Sequence, residues 1–293
     1  MRYVRALTHD YAKCIKEYIH CTDMLVESTR KGRDNLSNYK YMVMAGQTPD
    51  RKSPFVPAEA FRPVTWMDSD TNETNMFNEA FWIVGDCESS EFFSTESAEL
   101  YAFISGDIND PGNLNADVEM WIENDRLELR STSIVLVPAG AAHGRIKFTG
   151  VKHPVFCYHV LLSSGKLNAV PALAKMAEGS FSREKNVVER YERVDGSVPF
   201  QPFEGFLKLL LWIDGEKLPG APYMESVWFC KPKPEKDAMD IPHTHEFDEF
   251  LGIIGSDPDH PEELNGEAHI WVDGEELITT KSFLLCVPKG MHH

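Results

Sequence analysis

Between Pro242 and Glu249 the chain reads Pro-His-Thr-His-Glu-Phe-Asp-Glu, and its chemistry begins with the two histidines. His243 and His245 are two residues apart, so on a strand their imidazoles leave the same face and can grip one ion. Glu249 adds a carboxylate from the same segment, and His293, behind Pro288 and Gly290, adds a third imidazole from a distant strand. Three imidazoles and one carboxylate suit Fe, Mn, Ni, Cu, Co or Zn far better than Ca or Mg. On an octahedral ion the set leaves positions open for water or substrate. Glu246 would reach the ion only by turning out of the strand, so it and Asp248 are expected at the rim. His292 should face away from His293 by alternation, and His260 and His269 should face solvent.

The elements that must hold these residues are written twice. The stretch from Phe93 to His143 lies on His243 to His293 without a gap: Glu99 falls on Glu249, Asp107 on Asp257, Trp121 on Trp271, and Pro138, Gly140 and His143 on Pro288, Gly290 and His293. Upstream, Trp66, Asp68, Glu79 and Trp82 fall on Trp212, Asp214, Glu225 and Trp228, the second copy carrying a few extra residues before His243. A repeat of this length marks two copies of one structural unit. Each copy is rich in short apolar runs closely followed by Gly, Pro or Ser, such as Leu100 to Ile104, Ile134 to Val137, Phe250 to Ile254 and Phe283 to Val287. Such runs predict strands and turns, and many short strands per copy predict a sandwich or barrel. Val272-Asp273-Gly274-Glu275 predicts a hairpin turn. Outside the copies, Thr8 to Lys31 has the apolar spacing of an amphipathic helix, and Pro171 to Glu178 reads as a short one.

The pattern H-x-H-x-x-x-E followed by P-x-G-x-x-H resembles the two signature motifs of the cupin superfamily. The resemblance covers roughly residues 65 to 165 and 211 to 293. It implies an all-β fold with minor helices: two tandem jelly-roll barrels plus an N-terminal helix. It divides the chain into an N-terminal helical and loop segment (1–60), a first cupin domain (61–165), a helical linker (166–205) and a second cupin domain (206–293). Carried over onto matching positions, the family's metal ligands are His243, His245, Glu249 and His293. Asp237 stands where the family's first motif usually has a preceding glycine. In the first copy Phe93 and Thr95 replace the two histidines while Glu99 and His143 remain, so that barrel is expected to have lost its metal. Arg145 and Lys147 would share a face and favour an anion if their strand were regular.

By the same resemblance the protein is a metal-dependent bicupin acting on a small organic molecule, with a dioxygenase-type oxidoreductase as the leading reading. A cupin isomerase or decarboxylase, a non-catalytic metal or small-molecule binder and a structural bicupin are the alternatives. Its partners would be a small-molecule ligand and a second copy in a homodimer. The second copy reaches His293 without the strands that follow His143 in the first. Its barrel is therefore truncated or closed by another segment, such as the first residues of this chain or of a partner.

Composition narrows the classes further. The 293 residues carry a formal net charge of −17, which repels phosphate backbones and anionic lipid heads and argues against nucleic-acid or membrane binding. Six cysteines show no C-x-x-C spacing and read as reduced thiols, and no apolar run is long enough to span a bilayer, so a cytoplasmic location is expected.

Overall fold

Short apolar runs broken by turn residues fold as strands in the computed structural model, which describes residues 3–7, 41–47, 59–72, 76–172, 181–189, 207–231 and 242–293. In chain order the strands are β1 (Tyr3–Leu7), β2 (Met42–Met44), β3 (Phe61–Met67), β4 (Phe77–Ile83), β5 (Cys87–Glu88), β6 (Phe92–Ser94) and β7 (Glu99–Ser105). Then come β8 (Asn113–Ile122), β9 (Asp125–Ser131), β10 (Ser133–Val137), β11 (His143–Thr149), β12 (Val155–Leu161), β13 (Val170–Pro171) and β14 (Val187–Val188). The last are β15 (Leu207–Ile213), β16 (Met224–Phe229), β17 (Glu249–Gly255), β18 (Glu263–Val272), β19 (Glu275–Lys281) and β20 (Phe283–Val287). One short helix, α1 (Arg183–Asn186), precedes β14.

The first barrel is a sandwich of two sheets ordered β14-β10-β7-β12-β4-β3 and β13-β6-β11-β8-β9, with β5 paired to β11. β7 is buried at every residue because it lies between β10 and β12 with both faces covered, which explains its continuous apolar run. β8 alternates instead, turning Leu114, Ala116, Val118, Met120 and Ile122 into the barrel.

The second barrel repeats this plan in the sheet β15-β16-β1-β17-β20-β2 and the pair β18-β19. β15, β16, β17 and β20 take the places of β3, β4, β7 and β10. The places of β12 and β14 are filled from the start of the chain, by β1 and β2. β1 runs antiparallel to both neighbours, with Leu7 opposite Glu225 and Ala6 opposite Gly252, just as β12 sets His159 opposite both Glu79 and Tyr101. Residues 1–60, expected to stand apart as a helical and loop segment, thus contribute two strands to the second barrel's sheet. The expected linker 166–205 likewise contains β13, α1 and β14, the last pairing with β10. The helix expected over Thr8 to Lys31 and all but the start of the one expected over Pro171 to Glu178 lie outside the described residues.

Backbone torsions repeat with the strands. Asp273 and Gly274, at φ 51° and 80°, make the hairpin turn between β18 and β19, the conformation an Asp-Gly pair favours. Gly140 and Gly290, at φ 77° and 76°, turn the chain just ahead of His143 and His293, a left-handed conformation that only glycine adopts without strain.

Three larger apolar clusters among the described residues hold the molecule together. One fills the first barrel, a second fills the other, and the third joins the six-stranded sheets of the two, with Trp82 and its repeat counterpart Trp228 both almost wholly buried in it. No helix among the described residues is long and apolar enough to cross a membrane.

Candidate metal centre

The segment carrying His243 and His245 is held by backbone bonds to the segment carrying His293. The His243 N–H donates to the His293 carbonyl at 2.9 Å, the His293 N–H returns to the His243 carbonyl at 3.0 Å, and Gly290 donates to the His245 carbonyl at 2.8 Å. Phe93 and His143 pair in the same register in the first barrel, where Gly140 donates to the Thr95 carbonyl at 2.8 Å. The ligand scaffold is therefore a repeat feature, and only the side chains on it differ.

Those side chains converge in the second barrel. Ligating atoms of His243, His245 and His293 all lie within 4.8 Å of one another. Nε2 of His243 is 3.1 Å from Nε2 of His245, and Oε2 of Glu249 is 3.5 Å from Nε2 of His245 and 2.7 Å from Nε2 of His293. Donors that sit about 2.1 Å from a shared transition metal at right angles are about 3 Å apart, so the donor set fits such an ion. Nδ1 of His293 donates to the Met291 carbonyl at 3.2 Å, which orients the ring with Nε2 toward the cluster. Phe247 packs on the His245 ring at 4.6 Å between centroids. Glu249 is buried while His243 is exposed, so the cluster sits at a mouth of the barrel.

Glu246 and Asp248 are exposed. Glu246 pairs with Lys289 at 3.0 Å, and Asp248 accepts the Lys289 N–H at 2.8 Å. His292 and His260 are exposed. His269 lies between Glu276 and Glu267, at 3.0 and 2.7 Å, which raise its pKa.

No family model matches this sequence, and no curated protein does. Among solved structures, the Lactobacillus farciminis oxalate decarboxylase–formate complex aligns over 91% of this chain and 82% of its own, with a TM-score of 0.51 at 12% identity. AerE from Microcystis aeruginosa aligns over 86% of this chain and 90% of its own, with a TM-score of 0.49 at 14% identity. Ylba from E. coli aligns over 86% and 84%, with a TM-score of 0.43 at 12% identity. The chain has a bicupin fold.

At the corresponding place in its first barrel the protein holds a different group of side chains. Glu99 and His143 are present as the repeat demands, with Oε2 and Nε2 3.3 Å apart. Beside them lie Tyr101, whose hydroxyl is 2.9 Å from Glu99 Oε2 and 3.1 Å from His143 Nε2, and His159, whose Nε2 is 2.8 Å from Glu99 Oε2. Nδ1 of His159 is 3.0 Å from Oε1 of Glu79. Thr95 donates its hydroxyl to Oε1 of Glu99. All six side chains are buried.

Sequence reasoning missed Glu79, Tyr101 and His159 as members of one group. Tyr101 was accessible through period two from Glu99. His159 lies beyond the segment that the second copy shares, so the repeat carried no signal for it. The strand after His143 is not regular, the condition on which Arg145 and Lys147 would have shared an anion-binding face. The strand shifts register between Gly144 and Lys147, Arg145 lies over the Phe92 ring at 5.6 Å, and Lys147 pairs with Glu88 at 3.3 Å.

Proposed function

We propose that the second barrel holds a divalent transition metal between His243, His245, Glu249 and His293 and acts there on a small organic acid, phenol or enolate, as a dioxygenase-type oxidoreductase. The observation that carries this reading is the convergence of three imidazoles and one buried carboxylate at a barrel mouth. When bound, such an ion supplies Lewis acidity and, if it is iron or copper, a place for dioxygen. The chain's own residues supply the rest. Glu249 contributes the single negative charge, and with three neutral imidazoles around a dication it leaves a net charge of about +1 that a monoanionic ligand would neutralise. The His293 bond to Met291 keeps that imidazole oriented, and Phe247 braces His245. Two residues from Glu249 and His293 in sequence, Leu251 and Met291 are partly buried against the barrel's apolar cluster, which favours a ligand with an apolar body.

A second reading, a holder of metal or small molecule without turnover, draws on the rim. Both of its acidic residues, Glu246 and Asp248, are engaged with Lys289 and not turned to the cluster as a proton shuttle. The experiment is metal analysis of the purified protein followed by oxygen consumption with a panel of phenols and keto acids. The oxygenase reading predicts stoichiometric metal and substrate-dependent uptake. Tight metal without uptake selects the holder, and absence of metal after supplementation with iron, manganese and copper defeats the oxygenase and the metal holder alike.

A further inference from the structure

The first barrel buries two carboxylates, Glu79 and Glu99, at 3% and 1% exposure, with His159 at 0% between them. Burying even one uncompensated carboxylate is costly, and two facing each other are worse. Both nitrogens of the His159 ring lie on carboxylate oxygens, Nδ1 at 3.0 Å from Glu79 and Nε2 at 2.8 Å from Glu99. An ionised carboxylate can only accept a hydrogen bond, so with both carboxylates ionised each of these nitrogens carries a proton.

We infer that His159 is a built-in cation, an imidazolium held by Glu79 and Glu99, and that the first barrel is a cradle for a planar organic cation where the second is built for a metal. The groups facing the ring are consistent with this from every strand around it. Glu79 comes from β4, Glu99 and Tyr101 from β7, and His143 from β11 reaches the same Glu99 oxygen at 3.3 Å. Tyr101 stacks on His159 at 4.3 Å and 12°, giving the cation an aromatic face, and Phe77 meets its edge at 5.7 Å. Burial alone would push the His159 pKa down, and the hydrogen bonds it donates to Glu79 and Glu99 reverse that and raise it. The repeat supplies the contrast. Leu7 stands opposite Glu225 where His159 stands opposite Glu79, and Glu225 accepts the Tyr223 hydroxyl at 2.9 Å. In the second barrel no imidazole occupies that register, and three imidazoles gather at the mouth. Only this comparison leans on the metal reading; the cradle itself does not.

The test is nitrogen-15 NMR of the full-length protein labelled at histidine. His159 should show two protonated ring nitrogens from pH 6 to beyond pH 8, where exposed histidines have become neutral. An unprotonated nitrogen on His159 at pH 7 overturns the inference. An independent arm uses His159→Gly, which should melt at lower temperature and regain stability when imidazole is added below pH 7, with the rescue fading as imidazole loses its charge. Rescue by manganese or zinc and not by imidazole would make the cradle a metal site and overturn the inference. Should the variant fail to fold, the NMR arm on the unaltered protein decides. Metal analysis of the second barrel reads out separately, so either conclusion can fall without the other.

Discussion

His243 and His245 share a face by their spacing, and their segment forms a short antiparallel bridge with that of His293, which brings the three rings close together. Replacing both by alanine should reduce bound metal from about one ion per chain to near zero, with far-ultraviolet dichroism unchanged because neither ring belongs to the apolar clusters. The first barrel's polar group predicts a pH window for stability. Burial would push Glu99 up, but hydrogen bonds from His143 and His159 hold it well below its ordinary 4.5, so its contribution is present above that value and is lost as pH falls through the depressed one. His159 is raised above its ordinary 6.5, so its contribution is complete below that value and is lost as pH rises through the raised one. Thermal melts should therefore show greatest stability from this group between about pH 4.5 and 6.5, and a variant with His159→Gln should flatten the alkaline limb. The candidate ligands were legible because all four sit in motifs. The buried network was less so, because Glu79, Glu99 and His159 meet only after β12 inserts between β4 and β7.

At the scale of elements, the strands of the repeat were readable from apolar runs and turn residues, and β7, β8, β9 and β10 have counterparts with matching bounds in β17, β18, β19 and β20. What the sequence left open was how the second barrel closes. β1 fills the gap between β16 and β17, at the register β12 occupies in the first barrel, although Tyr3–Leu7 carries no motif linking it to β12. Only long-range pairing assigns it. Ala6 pairs with both Ser226 and Gly252, so Ala6→Pro removes a backbone donor from the middle of a six-stranded sheet. It should cost upward of about 1 kcal/mol. Hydrogen exchange should show faster exchange in β16 and β17 with little change in β4 and β7. Equal loss of protection in both pairs would mean β1 does not stabilise the second barrel selectively.

Across the whole molecule, the second barrel draws strands from both sides of the first in sequence, so the first barrel is an insertion between the parts of the second. The two six-stranded sheets meet through an apolar cluster with Trp82 and Trp228 in it. Trp82→Ala should cost about 3–5 kcal/mol by leaving a cavity in a layer both barrels share. Because the layer is shared, one cooperative thermal transition should shift as a unit, as calorimetry would show. The duplication made this pairing of like sheets foreseeable in outline, since two copies of one apolar face can cover each other. The order in which the chain threads them was not foreseeable from local pattern.

Anomalous scattering from crystals grown with manganese or cobalt measures directly whether one barrel binds a metal and the other does not. A single peak between His243, His245, Glu249 and His293, unchanged in a His143→Ala variant, is the predicted result. A peak between Glu99 and His143, or none near the three imidazoles, would contradict it.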